Sequence, residues 1–407
     1  MTKPVTQQLD LKAEVNVDSS IQFEQSLSKN VLEPKAILLT GATGFLGAYL
    51  LEELLQKTSA DIYCLVRCSN IEEGKNRLQK NLEFYSLWQD DFNSRIVPIV
   101  GDLGKPLFGL SQLAFEGLAA IIDIIYHNGA WVNSARPYST LKPVNVLGTQ
   151  EVLRLASREQ TKPVHFVSTL GVFLGDNQEE IGRITEMDSP NFVNLQGGYR
   201  QSKWVAEQLV MVAQKRGLPA CIYRPSRIIG NSKTGINGNF QDFLCILLKG
   251  CIQLKKFPDL NTQIDIVPVD YVSRAIVGLS QQKNHAGKVF HLINSQLISW
   301  ETFFNSLQLL GYSLEKVNYD NFYAELKYQL SQSPKNTLYS SLLLLLKLSK
   351  LFSPDKLEFD ATRTLIELTE LSISCPVIDE KLLSLYFSYF QKVGYFPPII
   401  AVGWVEQ

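Results

Sequence analysis

The apolar positions of this chain switch back and forth between two periods. KAILLT (35–40) is a continuous apolar run, whereas FLGAYLLEELLQK (45–57) repeats its apolar residues at helical spacing. IYCLVR (62–67) is a second strand-like run, followed by a charged helical stretch near 71–87. RIVPIV (95–100), a helix around 111–119, IIDIIYH (121–127) and a helix near 143–158 continue the alternation. VHFVS (164–168), a helix near 200–216 and CIYRP (221–225) complete it. Strand and helix in turn predict parallel strands joined by helical crossovers. Strands that are apolar throughout predict a sheet covered on both faces. The expected fold class is α/β, a doubly wound parallel sheet.

The alternation loosens after residue 226. GNSKTGINGNF (230–240) leads into a helix at 240–252, and IDIVPVDYV (264–272) and KVFHLIN (288–294) read as strands returning to the sheet. From 299 the chain reads mostly helical, with a leucine-rich segment at 337–352 and the aromatic KLLSLYFSYFQKVGY at 381–395. Residues 1–33 are polar without a sustained period and read as a leader or linker with little core of its own. Three blocks are therefore expected. They are the leader (1–33), an α/β domain (34–295, with part of 226–263 contributing to the next block), and a smaller, mostly helical C-terminal domain (296–407).

Composition narrows the function. With 45% apolar and 19% charged residues, the 407-residue chain is folded and longer than one core usually holds. Lysine plus arginine is 39 against 40 for aspartate plus glutamate, so no basic balance points to nucleic acid. Six cysteines without a C-x-x-C pair give neither a disulfide framework nor a zinc knuckle, and the four histidines show no metal-ligand spacing. No metal is expected. The opening residues lack the apolar stretch of a secretory signal, and the longest apolar run, Leu342–Leu346, is far short of the roughly 20 residues a spanning helix needs. A cytoplasmic protein without a membrane span is expected.

Chemistry enters at Thr40-Gly41-Ala42-Thr43-Gly44-Phe45-Leu46-Gly47, between the first strand and the first helix. Gly41 suits a tight turn, Gly44 lets backbone approach a pyrophosphate, and Gly47 lets helix and strand pack closely. The pyrophosphate would meet the N–H groups at the helix start. Twenty residues beyond Gly47 stands Arg67, where an NAD site usually has an acid. Its guanidinium can fork onto a 2′-phosphate, with Lys75 and Arg77 adding to it, so the expected cofactor is NADPH. Asp102 and Leu103, after the third strand, are placed near the adenine. Asn128 and Ala130 follow the fourth strand, where small residues admit the cofactor, and Asn145 supports the site from the next helix. His127 reads as a packed core histidine. Tyr199 and Lys203 are four apart and share one helix face. An ammonium beside the phenol lowers its pKa and eases proton delivery to a developing alkoxide. Thr169, at the end of VHFVST, offers a second hydrogen bond to the same oxygen and is preferred over Ser168.

TGATGFLG, Arg67, VSTLGVF, YRQSK and YRPSRIIG together resemble an extended short-chain dehydrogenase/reductase with a Rossmann-like sheet. More narrowly, the chain is similar to the terminal thioester reductase domains of nonribosomal peptide and polyketide synthases, and to carboxylic acid reductases. The similarity runs from DLKAEVNVD near residue 10 to CPVIDEKLLSLYFSYFQKVGYFP. It implies Thr169, Tyr199 and Lys203 as a catalytic triad, with Lys203 also on the nicotinamide ribose. It implies that Tyr223 and Pro225 lie beside the nicotinamide, with Ser226 where glycine is frequent. It further implies NADPH-dependent release of an acyl or peptidyl thioester from a phosphopantetheinylated carrier protein, as aldehyde or onward to alcohol. No carrier-like or adenylation segment precedes residue 35, which implies a free-standing reductase or one excised from a longer protein. The alternatives are an extended reductase or epimerase acting on a nucleotide sugar, and an NADP-sensing protein without turnover.

Overall fold

The computed structural model describes residues 9–399 apart from 25, 28–30, 32, 176–181, 194, 283–285 and 349–357. Seven strands make the central sheet: β1 (Ala36–Thr40), β2 (Asp61–Val66), β3 (Ile96–Val100), β4 (Ile124–His127), β5 (Val164–Val167), β6 (Ala220–Pro225) and β7 (Val289–Leu292). Their order across the sheet is β7-β6-β5-β4-β1-β2-β3. The five pairs from β3 to β6 are parallel. On the far edge, Ile222 N–H donates to Lys288 O and Ser226 N–H to Leu292 O, so β6 and β7 also advance together. Every residue of β1, β4, β5 and β6 is buried, which is why these strands are apolar without alternation. The strand order reverses between β1 and β4, and the carboxyl ends at such a switch are where α/β sheets take ligands.

Five helices serve this sheet: α1 (Phe45–Lys57), α2 (Ile71–Phe84), α3 (Gln112–Ile121), α4 (Gly148–Ala156) and α5 (Gly198–Lys215). The helix expected near 143–158 arrives in three pieces. A short helix, Tyr138–Lys142, passes into a wide π turn, Pro143–Leu147, and then into α4. Pro143 has no N–H to offer the turn before it, and a wide turn absorbs that loss.

The chain forms two compact units that interleave in sequence. One is Met1–Glu179, Thr185–Pro225 and Ile276–His291; the other is Glu180–Ile184, Ser226–Ala275 and Leu292–Gln407. In the first unit, one face of the sheet buries Leu38, Ile125, Phe166 and Ile222 with Leu153, Val205 and Leu209. The leader contributes to this core: Leu11, Val17, Ile21 and Phe23 are all buried in it. Arg216 ties the strap down by donating to the carbonyls of Val17, Asp18 and Ile21. Those four apolar residues are irregularly spaced, so no period betrays them in the sequence.

The second unit is largely helical. It contains α6 (Phe243–Leu254), α8 (Trp300–Leu309), α9 (Tyr319–Gln332), α10 (Thr337–Leu348), α11 (Thr362–Glu370) and α12 (Glu380–Lys392), and begins the helix α7 (Val269–Ser280). The strand expected over 264–272 does not return to the sheet. Among the described residues Ile266–Pro268 pairs only with Arg227–Ile229, and α7 starts at Val269. Its β-branched residues suggest a strand, but Val269, Val272, Ile276 and Leu279 are spaced for one helix face and all are fully buried. In the leucine-rich helix α10, Leu342 and Leu346 are buried in this unit's core, while 349–352 lie outside the described residues. Leu383, Tyr386, Phe387 and Phe390 of the aromatic segment are fully buried there too. Among the described residues no helix is long and apolar enough to cross a membrane.

Candidate active site

The glycine turn joins β1 to α1 at the strand-order switch. Gly41 holds φ +76°, and a Cβ there would lie 2.7 Å from Gly129 Cα in the loop after β4. A Cβ on Gly47 would overlap the Gly41 carbonyl. Only bare backbone fits this cradle. Gly44 begins α1 without a side-chain cap, so its first-turn N–H groups have no side-chain acceptor. Asn81 of α2 donates to the carbonyls of Ala42 (3.1 Å) and Gly44 (3.3 Å) and pins the turn around Thr43. Phe45 packs at the helix start against Tyr49 and Tyr85, and Leu46 is buried. A cradle of this shape, opening on a helix start, fits a dinucleotide pyrophosphate.

Arg67 is exposed just past β2, and Arg77, also exposed, donates to its carbonyl from α2. Both cations therefore share one corner, one strand over from the glycine turn. Lys75 is half-buried. Asp102 closes its own turn by accepting from Gly104 N–H (3.0 Å), and Leu103 lies against Gly129 and Gly148. Asn128 donates to the Gly41 carbonyl at 3.5 Å, and Ala130 is half-buried beside it.

The three residues expected to act together, Thr169, Tyr199 and Lys203, lie just past the carboxyl end of β5 and in the first turns of α5. Lys203 Nζ donates to the Val167 carbonyl (2.7 Å), two residues before Thr169, and stands 4.1 Å from the centre of the Phe166 ring. Tyr199 lies one turn earlier on the same helix. A Cβ on Gly171 would be 3.3 Å from Thr169 Oγ1 and 3.7 Å from Arg200 Cγ, so Thr169 flanks the start of α5. Its hydroxyl accepts from Gly171 N–H (3.1 Å), which leaves its proton to donate elsewhere. Ser168 is committed differently: its hydroxyl donates to Glu207. Burial pushes the Lys203 ammonium down to about 7, with Glu207 opposing. Burial also pushes the Tyr199 phenol up to about 12, the reverse of the lowering expected from the Tyr–Lys spacing. The Lys203 ammonium is directed onto the Val167 carbonyl, and desolvation governs the phenol.

Asn145 sits buried in the π turn. Its Nδ2 donates to Ser202 Oγ (2.9 Å) and to Trp131 O (3.2 Å), and its Oδ1 accepts from Trp131 N–H (2.6 Å). Ser202 in turn donates to the Tyr199 carbonyl (2.8 Å). Asn145 thereby fastens the first turn of α5 to the loop after β4.

Comparison with known proteins follows the same lines. A family model described as male sterility protein, NAD-binding, matches residues 39–276, more than half of the chain. Over 399 residues the chain is 41% identical to a linear gramicidin synthase polypeptide of Brevibacillus parabrevis, covering 96% of this chain and 8% of that protein. It is 33% identical to the L-2-aminoadipate reductase large subunit of Penicillium chrysogenum, over 94% of this chain and 29% of that one. The crystal structure of the terminal R domain from the myxalamid PKS-NRPS biosynthetic pathway superposes with a TM-score of 0.89 at 42% identity. That match covers 95% of this chain and 98% of that chain. This chain belongs to the terminal reductase domain family. The reductase domain is an NAD(P)-binding oxidoreductase with an extended short-chain dehydrogenase fold, and it spans less than a third of those two curated relatives. A UDP-glucuronic acid 4-epimerase from Bacillus cereus, at 18% identity and a TM-score of 0.60, shares the fold alone.

Around this candidate site stand residues to which the sequence reading gave no role. Glu207 and Arg224 form a fully buried ion pair at 2.7 Å between α5 and β6. The hydroxyl of Tyr223 meets His165 Nδ1 (3.0 Å) and its ring stacks on Phe290, so this buried side chain packs within the sheet's core. Pro225 is buried at the strand end. Thr149, Ser202 and Asn81 carry no local signature, because the partners that tie them to other elements (His127, Asn145 and the glycine turn) are remote in sequence.

Proposed function

We propose that this reductase domain uses NADPH to release an acyl or peptidyl chain, as the aldehyde, from a phosphopantetheine thioester on a carrier protein. The observation that carries the reading is the end-to-end likeness to a terminal R domain, at a TM-score of 0.89 and 42% identity. The dinucleotide would lie on Thr40, Gly41, Thr43, Gly44, Phe45, Leu46 and Gly47. Asp102, Leu103, Asn128, Ala130 and Asn145 would flank it, with Arg67 and Arg77 on its 2′-phosphate. When bound, it supplies the hydride that reaches the thioester carbonyl carbon. Tyr199 and Thr169 donate hydrogen bonds to the carbonyl oxygen, and Tyr199 passes its proton there as negative charge develops. A phenol at about 12 holds its proton until that oxygen becomes strongly basic. The Lys203 ammonium, anchored on the Val167 carbonyl, orients the ribose. The hemithioacetal then loses the carrier thiol and leaves the aldehyde; a second hydride would give the alcohol.

A kinetic comparison tests this. A carrier-loaded acyl thioester should be reduced with a much higher specificity constant than the same acyl group on coenzyme A, because contacts remote from the carbonyl position it. Tyr199→Phe should lower turnover by roughly 10² or more with NADPH affinity near wild type. Turnover of nucleotide sugars without turnover of either thioester would overturn the reading.

A further inference from the structure

A buried line of polar side chains connects the glycine turn to the first turn of α5, and chemistry fixes the direction of each bond. Thr149 Oγ1 donates its single proton to the Asn145 carbonyl (2.7 Å), so toward His127 Nε2 (2.9 Å) it can only accept. Nε2 of His127 therefore carries the ring proton and Nδ1 is an acceptor. Thr40 Oγ1 fills that acceptor at 2.8 Å while itself accepting from Gly129 N–H (2.9 Å). Asn145 and Ser202 carry the line on to the Tyr199 carbonyl. Every donor and acceptor along it is matched once the ring is neutral with its proton on Nε2. A second ring proton would face Thr40 Oγ1, which could accept it only by turning its own proton away from the one acceptor it has. Burial, with the Lys203 charge adding to it, holds the imidazole down at about 3, in keeping with that neutral state.

We propose that His127 is a positioning residue of the reductase site: as the neutral Nε2–H imidazole it holds the Asn145 turn, and through Ser202 the Tyr199 turn, in register with the glycine turn. The proposal rests on Tyr199 as the proton donor. It assigns His127 no contact with substrate or cofactor; its effect passes through Thr149, Asn145 and Ser202. A residue that serves stability alone would shift the unfolding midpoint and leave turnover per folded molecule untouched.

Thr149→Val removes the acceptor of the Nε2 proton at nearly constant shape, and Thr149→Ser keeps it. Thr149→Val should lower kcat about tenfold while the NADPH dissociation constant, read by fluorescence titration, changes less than about twofold. Thr149→Ser should recover kcat to within about twofold of wild type. Nitrogen NMR of the histidine rings in the unmodified protein at neutral pH should show His127 as the Nε2–H tautomer, a measurement that needs no variant. An Nδ1–H or charged ring, or a Thr149→Val enzyme with wild-type kcat, overturns the proposal. Tyr199→Phe, assayed alongside, separates the two readings. If it turns over normally, the proton donor is misassigned. If it is inactive while Thr149→Val runs at full speed, only the positioning role fails.

Discussion

The two buried polar assemblies that flank α5 are built on opposite principles. On the Ser202 side every member is neutral, and the groups from Thr40 to the Tyr199 carbonyl satisfy one another in single file. On the Glu207 side the members are charged. Arg224 and Glu207 are both fully buried, Ser168 donates to the carboxylate, and Arg224 also donates to the Asp188 carbonyl (3.2 Å). The guanidinium lies 4.8 Å from the centre of the Phe173 ring. A neutral hydrogen bond nets about 1 kcal/mol, whereas stripping a buried ion of its partner costs about 3–5 kcal/mol. The ionic assembly therefore locks β6 to α5, and the neutral one can set orientation next to Tyr199 without adding charge there.

Breaking each side should expose that difference. Arg224→Leu leaves the Glu207 carboxylate buried without its ion-pair partner, so unfolding in urea should show a loss of about 3–5 kcal/mol. Thr149→Val should lose only about 1 kcal/mol in the same assay. The double variant Arg224→Leu/Glu207→Leu should recover much of the first loss, because the stranded charge is gone. Equal losses for Arg224→Leu and Thr149→Val would erase the distinction between a lock and a positioning line.

Arg67 sharpens the contrast from the other direction, as a cation that is exposed rather than buried. Its removal should barely touch stability, within about 0.5 kcal/mol, since surface changes seldom do more. Arg67→Asp should instead weaken NADPH binding by well over tenfold, about 1.4 kcal/mol or more, while affecting NADH much less. Equal losses for the two cofactors in a fluorescence titration would remove Arg67 from the 2′-phosphate.

What the sequence discloses, and what it hides, follows the range of the interactions. The sheet is legible because β1, β4, β5 and β6 are covered on both faces and must be apolar residue by residue. The glycine turn is legible because Gly41 and Gly47 answer to backbone clashes within a few residues or across one loop. His127 reads as a core histidine, since its partners at 40 and 149 are 87 and 22 residues away. The direction of the Tyr199 shift is hidden for the same reason. Spacing places Lys203 one turn away, but spacing does not say that its ammonium bonds the Val167 carbonyl. The segment 264–272 misleads because its β-branched composition outweighs a helical period that begins only at Val269.

Lys203 lies between the two assemblies and gives the effect with the most telling sign. Its folded pKa is depressed to about 7, against about 10.4 for an unperturbed lysine. Between those values the unfolded chain binds the proton that the folded protein has given up. Stability contributed by this group therefore rises with pH across that window, and the burden of a buried ammonium is fully present below about 7. Activity should run the opposite way. kcat/KM for NADPH reports on the free enzyme, and the species that orients the ribose is the ammonium, so this constant should fall as pH rises through about 7. Other groups titrate too, so the stability slope should be read as wild type minus Lys203→Met, which removes the ionisation with similar bulk. A positive difference slope between about pH 7 and 10, paired with falling kcat/KM, is expected. If both curves rise together, the neutral amine is the working form, and Lys203 acts as an acceptor rather than as the cation set between a neutral line and an ion pair.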